Sequence, residues 1–388
     1  YVPIQQLHRE LCTVNEWGTK YLKKLDEPDE IRWRGKNYKA SHTLTLGKKT
    51  YYIVKDLSGQ RERYMAFDRW SQNRGEMWCI LGIDGKNLDA KNKNRQPGLV
   101  EKLKRLSGND GRLPVIFSYY RIGRERAYLV TSWTEGEDLG CYLERVKNGN
   151  YCEHEGNRCI QKKLICAKKR ETGTKCEPRP SAYEVCLLMI SLAHGLRQLH
   201  RLNIVHGDLN PRNLILQRNP NRLVMIDFGS AWLVEHTLNR DLGDGNRPKY
   251  AAPELLVKDS EQCFADDRSD QFSFGVIWYE LLTLKYPYGG YGGDFRRLNQ
   301  RESITAEQAY HPPSQAASIL NIDKNRLPLE AWHLVDRIIG RCLARDPDKR
   351  YQRERDLLDD VDELRHVMRA KKLSTRNEEF LKTFEKPV

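Results

Sequence analysis

No run of apolar residues approaches the roughly 20 that a membrane-crossing helix needs, so no transmembrane helix is expected. The chain opens at Tyr1 without an initiator Met and without the apolar core of a secretory leader. It is therefore expected to be a piece of a longer polypeptide. Ten cysteines are present, but none stand in the close Cys-x-x-Cys pairs of a zinc knuckle or a dense disulfide framework. A reducing, cytoplasmic compartment follows. Acidic residues are the scarcer charge, 53 against 66 Lys and Arg, a net of +13. Such an excess fits nucleic acid, an anionic membrane or an acidic peptide. Nucleotide chemistry with a basic loop and tail would leave the same balance, so nucleic acid and membrane are set aside as partners.

What is present describes a folded chain. At 388 residues, 39% hydrophobic and 31% charged, it has a real core and suggests two lobes or domains. Residues 1–37 are polar and loosely periodic, an extension expected to be helical or irregular. Aromatic and β-branched runs at 51–54 and 63–67, parted by Asp56-Leu57-Ser58-Gly59, predict a hairpin. A helix is expected near 99–106, and two more strands at 114–120 and 127–132. Apolar residues at Val185, Met189, Leu192, Leu196 and Leu199 recur at three- and four-residue steps, which predicts an amphipathic helix over 182–200. Between 147 and 180 lies a basic segment ending in Pro178 and Pro180, with Cys152, Cys159, Cys166, Cys176 and His154 widely spaced. It reads as a flexible insert, with a zinc-stapled one as the alternative.

The chemistry concentrates in two stretches. Residues 206–213 read His-Gly-Asp-Leu-Asn-Pro-Arg-Asn, and 224–229 read Val-Met-Ile-Asp-Phe-Gly. Asp208 can accept a hydroxyl proton, while Asn213 and Asp227 offer the oxygen ligands that Mg²⁺ takes on nucleotide phosphates. Phosphoryl transfer asks little more of a protein than positioning and charge neutralisation. Together these stretches resemble the protein-kinase superfamily, with its His-Arg-Asp-x-x-x-x-Asn and Asp-Phe-Gly motifs. The resemblance continues through Ala252-Pro253-Glu254, Asp270-x-x-Ser-Phe-Gly275 and Arg341-Cys-Leu-x-x-Asp-Pro-x-x-Arg350. It covers about residues 133–351.

The resemblance implies a bilobal α+β protein-kinase-like fold, with a small, mostly β N-lobe over 38–132 and a larger, mostly α C-lobe over 133–370. The 1–37 extension precedes them, and a tail over 371–388 follows. It implies a serine/threonine protein kinase using ATP and Mg²⁺ on a protein substrate, with Asp208 as base. Residues 133–139 would be the hinge, with Asp138 near the ribose and Ile215 under adenine. Glu254 and Arg350 would form a buried ion pair.

Four departures accompany the resemblance. No Gly-x-Gly-x-x-Gly loop precedes the hairpin, where Gly47 stands alone. Asp68 ends the Met65-Ala66-Phe67 strand where a phosphate-binding Lys belongs. The resemblance to kinases that borrow a lysine from the preceding strand makes Lys49 the stand-in, with Arg69 the candidate if the register slips by one. Glu101 or Leu99 would occupy the place of the usual partner glutamate. Gly207 replaces the Arg that docks a phosphorylated activation loop, so loop phosphorylation is not expected to switch this chain. Lastly, Asn210 replaces a catalytic-loop Lys and Arg247 a Thr, which reads as a cation moved from one position to the other. Two other functions stay open: a pseudokinase scaffold, and a small-molecule phosphotransferase of the aminoglycoside or choline kind. The latter shares His-Gly-Asp-Leu but lacks an Ala-Pro-Glu segment.

Overall fold

The computed structural model describes residues 22–57, 62–71, 74–84, 95–106, 111–122, 126–148, 154–155, 158–159, 180–218, 221–233, 248–256, 266–290, 292–293, 310–316 and 327–384. Two compact units divide the chain. One is Tyr1–Glu135 with Asp227–Ser230, the other Gly136–Ile226 with Ala231–Val388.

The first unit is built on a seven-stranded antiparallel sheet. Its strands are β1 (Leu22–Trp33), β2 (Lys36–Leu46), β3 (Lys49–Asp56), β4 (Arg63–Ser71), β5 (Arg74–Asp84), β6 (Ile116–Ile122) and β7 (Arg126–Ser132). They lie in the order β1-β2-β3-β4-β5-β7-β6, and helix α1 (Arg95–Leu106) falls between β5 and β6 in the chain. Alternation along each strand sends side chains to opposite faces. From β4, Tyr64 and Ala66 pack with Leu44, Tyr51, Ile53, Ile80 and Val130. Met65 and Phe67 pack on the other face with Ile31, Trp33, Ala40 and Met77. Burying each of the larger aliphatic or Phe and Met side chains contributes roughly 1.5–3 kcal/mol. The central strands are consequently apolar on both faces.

Two expectations for this unit are corrected. Part of the 1–37 lead-in is strand: β1 pairs along β2, and its register slips between Lys24 and Asp29. Pro28 lies in that gap and has no N–H to give to the ladder. The strand before helix α1 is also not the one that carries Asp68. Strand β5 intervenes, pairing with β4 on one side and β7 on the other. The predicted 51–54 and 63–67 hairpin is present as β3 and β4. Gly47 belongs to the tight turn between β2 and β3, at a φ of +60° that most side chains resist.

Helices dominate the second unit. The expected helix over 182–200 is α3 (Ala182–His200), closed at its start by a reciprocal cap. Ser181 Oγ accepts from the Glu184 N–H, and the Glu184 carboxylate accepts from the Ser181 N–H at 2.8 Å. Short strands β8 (Glu137–Asp138), β11 (Ile204–Val205), β12 (Leu214–Arg218), β13 (Asn221–Met225) and β14 (Trp232–Leu233) surround the motif region, while His154–Glu155 and Arg158–Cys159 (β9 and β10) form a small ladder in the insert. Helix α2 (Leu139–Lys147) follows β8. Helix α4 (Asp267–Thr283) is buried all round from Ser269 onward, which is why its sequence lacks a polar face. Helices α5 (Leu329–Cys342) and α6 (Glu354–Phe384) complete the unit. The fold is thus the two-lobed α+β class, an antiparallel sheet followed by a helical region.

The anticipated ion pair lies in this helical unit. Arg350, whose side chain is fully buried, donates to Glu254 through two nitrogens, at 2.6 and 2.9 Å. A bidentate, charge-assisted pair of this kind fixes geometry as well as charge.

Candidate active site

The segment between β11 and β12 holds the 206–213 stretch. Its anchor is Asp270, in the first turns of α4. This buried carboxylate accepts from the His206 N–H at 2.7 Å, the Gly207 N–H at 3.0 Å and the His200 imidazole at 3.0 Å. Burial alone would raise the Asp270 carboxyl, but His200, His206 and the Gly207 N–H together hold it below its ordinary range. Gly207 has a φ of +76°, which favours Gly at that point over the family's Arg. The His206 ring donates through Nε2 to the Ile226 carbonyl at 3.1 Å, while the Ile226 N–H donates to the Asn213 carbonyl at 2.9 Å. The loop is pinned at both ends.

That pinning presents Asp208. Its Oδ1 accepts from the Asn210 side-chain amide at 3.0 Å, and its Oδ2 from the Asn213 amide at 3.1 Å. Both amides also donate to the Asp208 backbone carbonyl. Asn210 accepts in turn from the Arg212 N–H at 3.0 Å, capping a short 3-10 turn over Pro211–Asn213. Asn210, which stands where the family has a Lys, thus holds the Asp208 carboxylate through its amide. Because Asn213 spends its nitrogen on Asp208, its amide oxygen remains as the donor type a hard cation takes.

Asp138 and Ile215 stand directly opposite one another in the β8–β12 ladder. Asp138 also caps α2, accepting from the Cys141 N–H at 2.9 Å, and lies 3.5 Å from the Arg212 guanidinium. Gly136 beside them leaves no room for a side chain: an added Cβ would fall 2.5 Å from the Ile215 methyl and 2.6 Å from the Leu216 carbonyl oxygen.

Asp227 belongs to the sheet unit. Its Oδ1 accepts from the Gly229 N–H at 3.2 Å, and its Oδ2 takes the guanidinium of Arg63, the first residue of β4. Its φ of +67° is uncommon for a residue with a side chain, though least so for Asp and Asn. Lys49, expected as the phosphate cation, is bound instead to Asp68 at 2.9 Å and stacked on the Phe117 ring at 4.4 Å. Arg69 pairs with Asp29 and lies 5.2 Å from the Tyr52 ring centre.

Sequence reasoning missed two residues. Asp270 was visible only as part of a motif, since its role requires α4 to reach a loop some 60 positions earlier. Arg63 looked like an ordinary strand start. Arg247 and the four insert cysteines lie outside the described side chains, as does the side chain of Glu101. Among the described residues no group of His, Cys, Asp and Glu is arranged to hold a metal by itself, and no helix is long and apolar enough to cross a membrane.

The protein kinase domain family matches residues 127–360, more than half of the chain, and the chain belongs to that family. It is 26% identical over 312 residues to the probable serine/threonine-protein kinase nek1 of Dictyostelium discoideum, covering 76% of this chain and 56% of that protein. Over 170 residues it is 34% identical to the serine/threonine-protein kinase MPS1 of Saccharomyces cerevisiae, 40% of this chain and 20% of that one. A putative serine/threonine-protein kinase/receptor, R826 of Acanthamoeba polyphaga mimivirus, is 30% identical over 182 residues, 46% of this chain and 10% of that protein. The chain thus spans between a tenth and just over half of the length of these relatives.

Proposed function

We propose that this chain is an active protein kinase that transfers the γ-phosphate of ATP to a serine or threonine hydroxyl of a protein. The observation that carries the reading is the fixed Asp208 carboxylate, held by Asn210 and Asn213 on a loop anchored to buried Asp270. Asp208 takes the proton of the attacking hydroxyl. Asn213 and Asp227 are the residues that would hold Mg²⁺, which would supply charge neutralisation on the phosphates. Asp138 faces the ribose and Ile215 the adenine. Asn210 orients the base, and Arg247 is retained as the candidate cation near the γ-phosphate. In this reading the smaller lobe takes in β1 and runs to about 132, the larger runs over 133–370, and the 147–180 insert and 371–388 tail are appendages. The names of the relatives and the Asp-Leu-Asn-Pro loop support serine and threonine over tyrosine. The Glu254–Arg350 pair supports a protein substrate over a small one, because it secures the Ala-Pro-Glu segment that small-molecule phosphotransferases lack.

Radiolabelled phosphotransfer to serine-, threonine- and tyrosine-containing peptides tests this. The unaltered chain should label the first two. Asp208→Asn should lose about 10²–10⁴-fold in turnover with nucleotide binding retained, while Asp227→Ala should lose the stabilisation that Mg²⁺ and ATP give in a thermal melt. Nucleotide binding without any transfer would establish the pseudokinase reading instead.

A further inference from the structure

The phosphate-binding lysine of protein kinases sits on the strand before the first helix. Here that strand is β5, which reads Arg74-Gly-Glu-Met-Trp-Cys-Ile-Leu-Gly-Ile-Asp84 and contains no lysine. Four cations on β4, which borders β5, and on β3 beyond it can be followed to their partners or positions. Lys49 is engaged by Asp68 and Phe117. Arg69 is engaged by Asp29 and Tyr52. Lys55 is exposed near the far end of β3. Arg63 reaches Asp227.

The faces of the sheet separate these cations. Between Arg63 and Asp68 the β4–β5 register is unbroken, so residues an odd number of steps apart point to opposite sides. Arg63 shares its face with Met65 and Phe67; Asp68, and with it Lys49, shares the face of Tyr64 and Ala66. Lys49 is therefore on the wrong side of the sheet to meet Asp227. On β5 the residue opposite Met65 is Cys79, which faces Thr131 across the next ladder. Its thiol lies within the fields of both Arg63 and Asp227, and burial pushes it up to about 11, which keeps it neutral.

We infer that Arg63 is the phosphate-binding cation of this kinase domain, supplied from β4 across the sheet while Cys79 occupies the corresponding place on β5. The inference rests on the kinase reading above. An arginine is longer than a lysine and carries a planar fork that can bind two phosphate oxygens at once, so it can act from one strand further away, about 4.8 Å. With no nucleotide present Asp227 is its counterion; with ADP or ATP bound, its nitrogens are shared with the α- and β-phosphate oxygens. Arg63 is then a binding and positioning residue, and Asp208 remains the base.

The test is binding of a fluorescent ADP and, in parallel, of adenosine, which has no phosphates. Both are measured with Mg²⁺ on the full chain. Arg63→Met should weaken ADP binding about 10- to 100-fold, the range of one charge-assisted bond, and leave adenosine binding within twofold. Arg63→Lys should fall between, and Lys49→Met should leave ADP binding within twofold. Adding Cys79→Lys to Arg63→Met should restore at least tenfold, because the cation is returned from the adjacent strand. Retained adenosine binding shows that a variant is folded; should Arg63→Met lose it, Arg63→Lys and the double variant carry the test. Equal or tighter ADP binding by Arg63→Met overturns the inference, because Arg63 would then only neutralise Asp227, and so does a loss in Lys49→Met. Failure of the unaltered chain to bind either ligand removes the nucleotide reading itself, an outcome distinct from the others.

Discussion

Replacing Asp270 by Asn should loosen the loop that presents Asp208. One Asp270 oxygen accepts from the His206 N–H and the His200 ring, the other from the Gly207 N–H. An amide must turn its NH₂ toward one of these sides, so at least one buried N–H meets a donor. An unmet buried donor costs about 1–3 kcal/mol, and the surviving bonds lose charge assistance, roughly 1 kcal/mol each. The sum, on the order of 3–5 kcal/mol, corresponds to a melting temperature lowered by about 6–20 °C for a unit of this size. The sign of the pH dependence is also set. The Asp270 carboxyl is held below its ordinary value, so its contribution is present above about pH 4 and is lost as pH falls through the folded value. The gap between the parent and Asp270→Asn should therefore be full at pH 7 and narrow in acid. Thermal melts across pH, with amide exchange followed by mass spectrometry over 204–210, measure both effects. If the variant melts with the parent at pH 7 and its loop amides stay protected, Asp270 does not anchor the loop.

Arg350→Met removes the partner of Glu254 together with bonds to the Ala344 and Arg268 carbonyls, at 2.8 and 2.9 Å. It should cost about 3–5 kcal/mol in urea unfolding, and the double variant with Glu254→Leu should recover part of that. A loss below about 1 kcal/mol would contradict the buried pair. Among Cys79, Cys141, Cys186 and Cys342, thiol reagents should modify exposed Cys141 first, as mapped by mass spectrometry. Burial pushes Cys186 and Cys342 up to about 12, leaving them almost no thiolate at pH 8.

Much of the helical unit was legible because its signals are local or fixed by spacing. Helix α3 announced itself through apolar residues every three or four positions, and the Glu254–Arg350 pair through two motifs nearly a hundred residues apart. The sheet unit was less legible. Strand β1 buries few large apolar residues, chiefly Leu22, Ile31 and Trp33, and reads as polar between them. In β5, Met77-Trp78-Cys79-Ile80-Leu81 is continuously apolar because both its faces are covered, so alternation gives no signal. Missing β5 moved the frame by one strand and put Asp68 where no residue of β4 belongs. Strand sequence also does not say which face meets a distant segment such as Asp227. For that reason Lys49 was the expected cation and Arg63 went unnoticed.

The order of strands in the sheet has a consequence for how the chain is made. From β1 to β5 every strand pairs with the one synthesised just before it, so each closes a short loop at small entropic cost. Up to Asp84 the ribbon can zip as it leaves the ribosome, with no later segment required. Asp227 arrives after more than a hundred further residues, and it must find an Arg63 side chain that was folded into place long before.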